Sequence, residues 1–393
     1  MSSRLRSPIS RAELERRWAA AREVMARLEL DALVLQNSND WLGGYVRWFT
    51  GAPANNAYPR SVIFPREGGM TVVEQGPFDG VQTLNDDPDN PGVARILTTP
   101  SYVSIAATAG YDAELIAGDL KAQHCRRIGW VNPAGAYFKF GQTVEAALTN
   151  VQFIDATDEI DNIKAIKSAE EQALIRLTAA LQDKVMAAVA DFIRPGLHDF
   201  EVAGFAQYQA NRFGAEQGIF ISSSAPPTKA AVFRPPHQLG RTIEKGDVFT
   251  LLVETNGPGG FYTEIGRAFS LGKPSDALKQ GLAFAVEAQK ATLDLLKPGA
   301  SAAAIAAIHD DYMTARGRPK ERRLYAHGQG YDMVERPLIR QDETMAIAKD
   351  MSIVVHPGYI DDEVFATICD NYLIGEDGPG ECLHRTPKHV FEL

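Results

Sequence analysis

The chain has 393 residues, 45% of them hydrophobic, which is enough to bury a substantial core and fits two domains better than one. Fifty acidic against forty basic residues give a formal net charge of -10, which argues against a nucleic-acid-binding surface and leaves small molecules as the expected partners. The N-terminus lacks an apolar leader core and no stretch is apolar enough to span a bilayer, so the expected location is cytoplasmic, without a membrane partner.

In chain order, Leu14, Trp18, Ala21, Val24, Met25 and Leu28 recur at helical spacing and predict an amphipathic helix over 11–28. Short apolar runs at 33–36, 61–64, 71–73 and 127–131 read as strands, giving an α/β N-terminal domain over 1–160. A boundary falls between Asp158 and Ser168, and the second domain is expected over 161–393. Ser168, followed three residues later by Glu171, has the form of a capping box and predicts a long helix from there.

Helices are predicted over 169–192 and 198–212, separated by Arg194-Pro195-Gly196. Strands at 248–254 and 261–271 flank the turn-rich Asn256-Gly257-Pro258-Gly259-Gly260. A second helix pair, 275–296 and 302–316, is broken by Lys297-Pro298-Gly299, so a helix pair followed by antiparallel strands occurs twice. Three cysteines, Cys125, Cys369 and Cys382, are too few and too scattered for a disulfide framework.

Five short motifs then fall in a telling order: Ile166-Lys167-Ser168-Ala169-Glu170-Glu171, Ile243-Glu244-Lys245-Gly246-Asp247, Leu296-Lys297-Pro298-Gly299, Ala326-His327-Gly328-Gln329-Gly330 and His356-Pro357-Gly358. Together they resemble the pita-bread family of creatinases, prolidases and methionine aminopeptidases, with the creatinase branch nearest. The resemblance implies an α/β N-terminal domain followed by an α+β pita-bread domain, a pseudo-twofold antiparallel sheet with helix pairs. The family's metallopeptidases bind two ions through Asp, Asp, His, Glu and Glu. Carried over, these positions are Glu254, Glu264, His327, His356 and Cys369, and Val334 stands where the family has a proton-shuttling histidine.

Imidazole and thiol in place of two carboxylates remove charge and bridging capacity, so the resemblance with these exchanges implies something other than a conventional Xaa-Pro peptidase. The expected activity is a creatinase-type hydrolase, cleaving a C–N bond in a carboxylate-bearing small molecule through His237, His327, His356, Glu264 and Glu254 with no cofactor. The alternative is a lyase or hydrolase with a single divalent metal, Fe, Zn or Mn, on His327, His356 and Glu264, with Cys369 or Glu254 as a further ligand. A third reading is an inactive pita-bread domain used for binding. Arg60, Tyr262 and Arg267 are the expected substrate contacts. The resemblance also implies a homodimer in which the N-terminal domain closes the neighbouring site.

Overall fold

The structure is a computed structural model that describes residues 9–37, 44–54, 58–102, 104, 105, 108 and 110–393. Two compact units divide the chain, one ending at Lys164 and the other running from Ala165 to Leu393.

The first unit opens with the helix Arg11–Arg27, whose buried stripe is the predicted one: Leu14, Trp18, Ala21, Val24 and Met25. Ser10 Oγ caps it by accepting from the Glu13 N–H at 3.1 Å. The sheet of this unit runs in the order Gly80–Thr83, Val93–Thr99, Met70–Gln75, Arg60–Pro65, Ala32–Asn37, Arg127–Trp130 and Gln152–Asp155. An interior strand, Ala32–Asn37, is buried along its whole length, which accounts for the apolar run there.

Asp112, on the helix Tyr111–Ala122, is buried and accepts from Gln36 Nε2 at 2.6 Å. Burial pushes its carboxyl up from the ordinary 3.8 to about 6, against the pull of its hydrogen bonds. A carboxyl raised on folding favours the native state fully below its ordinary value, and that contribution is lost as pH climbs through about 6. Wild-type protein should therefore lose up to about 3 kcal/mol between roughly pH 4 and 7, and Asp112→Asn should flatten that slope. Urea titrations across this range check it; identical slopes for the two proteins would count against the assignment.

The second unit begins with the capping box read from the sequence: Ser168 Oγ accepts from the Glu171 N–H at 3.2 Å and Glu171 Oε2 accepts from the Ser168 N–H at 2.7 Å. One residue earlier, Lys167 Nζ donates to Glu335 Oε2 at 2.7 Å in a fully buried ion pair. Helices Ala169–Phe192 and Asp199–Phe213 pack on a sheet ordered Phe391–Glu392, Tyr262–Ser270, Val248–Asn256, Gly218–Ala225. Val185, Val189, Val202, Phe249, Leu251 and Ile265 belong to the core between them. Helices Asp276–Leu293 and Ala302–Thr314 precede the second sheet, ordered Glu335–Leu338, Ala326–Gly328, Ser352–Val355, Asp370–Ile374, Pro379–Cys382. The pseudo-repeat expected from the sequence is thus present as two helix pairs, each followed by antiparallel strands, and the architecture is the pita-bread fold.

The two sheets meet where Gly266 bridges to Cys369. A Cβ at Gly266 would sit 2.8 Å from Cys369 Sγ, so only glycine lets the strands approach this closely. No helix among the described residues is long and apolar enough to cross a membrane.

Candidate active site

Register within the first sheet puts Glu264 directly opposite Glu254, with Gly266 opposite Leu252. From the second sheet, His327 lies on the short strand Ala326–Gly328, and His356 follows the strand Ser352–Val355, its backbone N–H donating to the Tyr325 carbonyl at 2.8 Å. The Gly266 junction brings these strand ends together. One ligand atom from each of Glu264, His327 and His356 lies within 4.8 Å of the others. The two imidazoles stand edge to face with ring centroids 5.3 Å apart.

Hydrogen bonding prepares these groups. His327 Nδ1 donates to the Gly328 carbonyl at 2.9 Å, which fixes the tautomer and leaves Nε2 with its lone pair. His356 Nε2 is enclosed and has no hydrogen-bond partner. Burial pushes the His327 imidazole down to about 4, with the Gly328 carbonyl pulling partly back. Burial, then the neighbouring His327 and Arg323, lowers His356 as well, so both rings are held neutral, the form that binds a metal.

The acids are shifted the other way. Burial and then the charge of Glu264 raise Glu254 well above the usual carboxylate range, while Gln329 Nε2, donating to its Oε1 at 2.7 Å, pulls back. Burial also raises Glu264, against the Cys369 thiol and the Arg323 guanidinium. Cys369 is itself raised by burial and by the charge of Glu264, so it stays a neutral thiol that hydrogen bonds to that carboxylate. It stands beside the three-residue group and orients Glu264. A buried chain of amides ties the pair together: Asn371 Oδ1 accepts from the Glu264 N–H at 2.8 Å, and Asn371 Nδ2 donates to Gln329 Oε1 at 2.6 Å.

Other expected site residues lie apart from this group. Tyr262 shares the face of Glu264, but it is buried and its hydroxyl accepts from the half-buried Gln217 Nε2 at 2.9 Å. Arg267 is corrected from substrate contact to structural cation. Three residues beyond Glu264, it points to the opposite face of the strand, and its five N–H groups meet Pro387 O, Gly266 O, Cys369 O, Asp370 Oδ1 and Thr386 O. His237 sits exposed on the turn Pro236–Gln238, 3.4 Å from its neighbour Gln238 Nε2. Arg60, in the first unit, donates to the Pro53 carbonyl and pairs with Glu74. Val334 is over a third exposed.

Gln329, Asn371 and Arg323 were missed from the sequence. Gln329 lay inside a motif read only for its fold, and Arg323 ends Lys320-Glu321-Arg322-Arg323, a run that reads as solvated loop.

Two neutral imidazoles, one with an orphaned buried nitrogen, converging on a carboxylate fit a single divalent ion. The profile of metallopeptidase family M24 matches residues 173–376, just over half of the chain. The chain belongs to this family. It is similar to "Uncharacterized peptidase YqhT" of Bacillus subtilis, 24% identical over 272 residues, covering 68% of this chain and 75% of that protein. It is also similar to an Xaa-Pro dipeptidase of Pyrococcus furiosus, 27% identical over 232 residues, covering 58% of this chain and 65% of that enzyme. Among solved structures, dipeptidase PepE from Mycobacterium ulcerans superposes with a TM-score of 0.75 at 21% identity, covering 98% of both chains.

These relatives overturn two expectations. The creatinase-type small-molecule hydrolase, and the judgement against an Xaa-Pro peptidase, both assumed that His356 and Cys369 dismantle the metal site. The matching family is a metallopeptidase family, with which the alternative of a single divalent metal is compatible. Exchanging carboxylate for imidazole at 356 changes the donor type without removing the donor.

Proposed function

We propose that the chain is a metal-dependent peptidase of the Xaa-Pro dipeptidase or aminopeptidase type, acting on short peptides with one divalent ion on Glu264, His327 and His356. The observation that carries this reading is the convergence of one ligand atom from each of those three residues within 4.8 Å, in a pocket where His356 Nε2 is buried without a hydrogen-bond partner. The names of the relatives support peptide-bond hydrolysis. When bound, zinc, manganese or iron would supply Lewis acidity to the scissile carbonyl and acidity to a water.

The chain's own residues do the rest. Glu254, with Oε1 occupied by Gln329, offers Oε2 to take the proton of the attacking water and deliver it to the departing amine nitrogen. Burial and the neighbouring Glu264 raise its affinity for a proton above that of an ordinary carboxylate. Cys369 and the Asn371 amide keep Glu264 oriented, and burial of the pocket keeps both imidazoles neutral.

Elemental analysis of the purified protein, together with hydrolysis of Ala-Pro, Gly-Pro and non-proline dipeptides before and after chelation, tests this. About one divalent ion per chain is expected, with turnover that chelator abolishes and added metal restores. Metal-loaded protein that leaves every short peptide intact would sink the peptidase reading.

A further inference from the structure

The first unit holds a cleft that neither its own core nor the proposed chemistry accounts for. Its volume is about 210 Å³, and it lies among the end of the strand Arg127–Trp130, the turn Pro133–Gly135 and the helix Phe138–Ala147. Phe138, Gly141 and Glu145 recur three and four residues apart, so a single face of that helix forms one wall.

Three aromatic residues, Trp130, Tyr137 and Phe138, line the cleft. Trp130 is 5% exposed, stacked on Phe153 at 5.8 Å and met by the edge of Phe140 at 6.0 Å, so the indole is fixed before any ligand arrives. Phe138 is 79% exposed, which leaves its ring available. Glu145 is the only charged residue in these walls. Its Oε1 accepts from the Trp130 indole N–H at 3.1 Å, which ties the carboxylate to the aromatic group, and it has no ion-pair partner among the described residues. Gly141 adds an independent observation. A helix interior disfavours glycine, and no close approach requires one here, because a Cβ at 141 would meet nothing within 4 Å. The missing side chain leaves that wall of the cleft open.

Three aromatic rings with one unbalanced carboxylate suit a cation whose surface is apolar. An anion would be repelled by Glu145, and a neutral apolar group would leave that charge without a counterion. The cleft is smaller than the roughly 300 Å³ at which pockets for drug-sized ligands begin, so it fits a head group rather than a whole peptide. We propose that it binds a quaternary ammonium group, with Trp130, Tyr137 and Phe138 receiving the methyl groups and Glu145 balancing the charge. The site lies within the first unit and stands independently of the peptidase reading.

Calorimetric titration of the full-length protein tests this, using choline and neohexyl alcohol, in which carbon replaces the quaternary nitrogen. Choline should bind at least roughly tenfold more tightly than the alcohol. Glu145→Gln keeps an acceptor for the Trp130 indole and should remove most of that preference. Phe138→Ala should weaken choline by about fivefold with an unchanged thermal midpoint, since the ring it removes stands in water. Gly141→Leu should fill the cleft and abolish binding of both probes while the midpoint holds or rises, because leucine is the better helix former. Acetyl-trimethyllysine methylamide, as a third probe, separates the sources of the group: tighter binding than choline assigns it to a protein side chain, weaker binding to a free small molecule. Equal affinities for choline and the alcohol, failure of every probe to bind, or a preference that survives Glu145→Gln would overturn the proposal. So would choline binding that persists in folded Gly141→Leu protein.

Discussion

Replacing His356 by alanine should lower bound metal from about one ion per chain to below about a tenth, and reduce kcat/KM for dipeptide hydrolysis by roughly a thousandfold or more. In the proposed centre the ring would contribute one of three donors, and its Nε2 is enclosed without another partner. Alanine also removes one ring of the imidazole pair. Secondary structure should stay native, because the backbone N–H that ties this residue to Tyr325 is retained. Metal analysis and steady-state kinetics on the same preparation provide the check. Full metal occupancy with unchanged kinetics would show that His356 is no ligand.

Arg267→Met should destabilise the second unit by on the order of 3–5 kcal/mol while leaving dipeptide KM nearly unchanged in the folded fraction. The guanidinium is 1% exposed and its partner Asp370 fully enclosed, so methionine strands a buried carboxylate and four carbonyl oxygens. Lys388 Nζ, 3.4 Å from Asp370, is already shared with Gln289 and Tyr372 and offsets only part of the loss. Lysine at 267 would rescue little, since three rotating donors cannot reproduce a planar fork serving five acceptors. Urea midpoints decide the matter. An unshifted midpoint with a raised KM would return Arg267 to substrate binding.

What the sequence made legible is local. The Ser168 cap, the helix starting at Ala169 and the hairpin about Asn256–Gly260 follow from side-chain chemistry within a few residues, and the structure has them where expected. His327 and His356 were found because each sits in a glycine-bearing motif. The direction of Arg267 was also available: an odd separation from Glu264 on a strand means opposite faces, and that signal was passed over. Long-range partners were out of reach. The Asn371–Gln329–Glu254 chain joins residues up to 117 positions apart, and Arg323 acquires its setting only when Gly358 folds against it. Counting family carboxylates misjudged the chemistry because it treated an imidazole as a loss. Neutral nitrogen is as good a donor as oxygen once burial removes its proton.

The buried pair between Lys167 and Glu335 sets a limit on how the protein can be shortened. The units divide after Lys164, yet a truncation that removes only the next three residues would take away the ammonium that pairs with the enclosed Glu335 carboxylate. Glu335 Oε1 also accepts from the Asp332 N–H, so the damage would travel into the loop that follows His327. The first unit can be cut away cleanly only on the N-terminal side of Ile166, a margin of one residue that the contact boundary alone would not reveal.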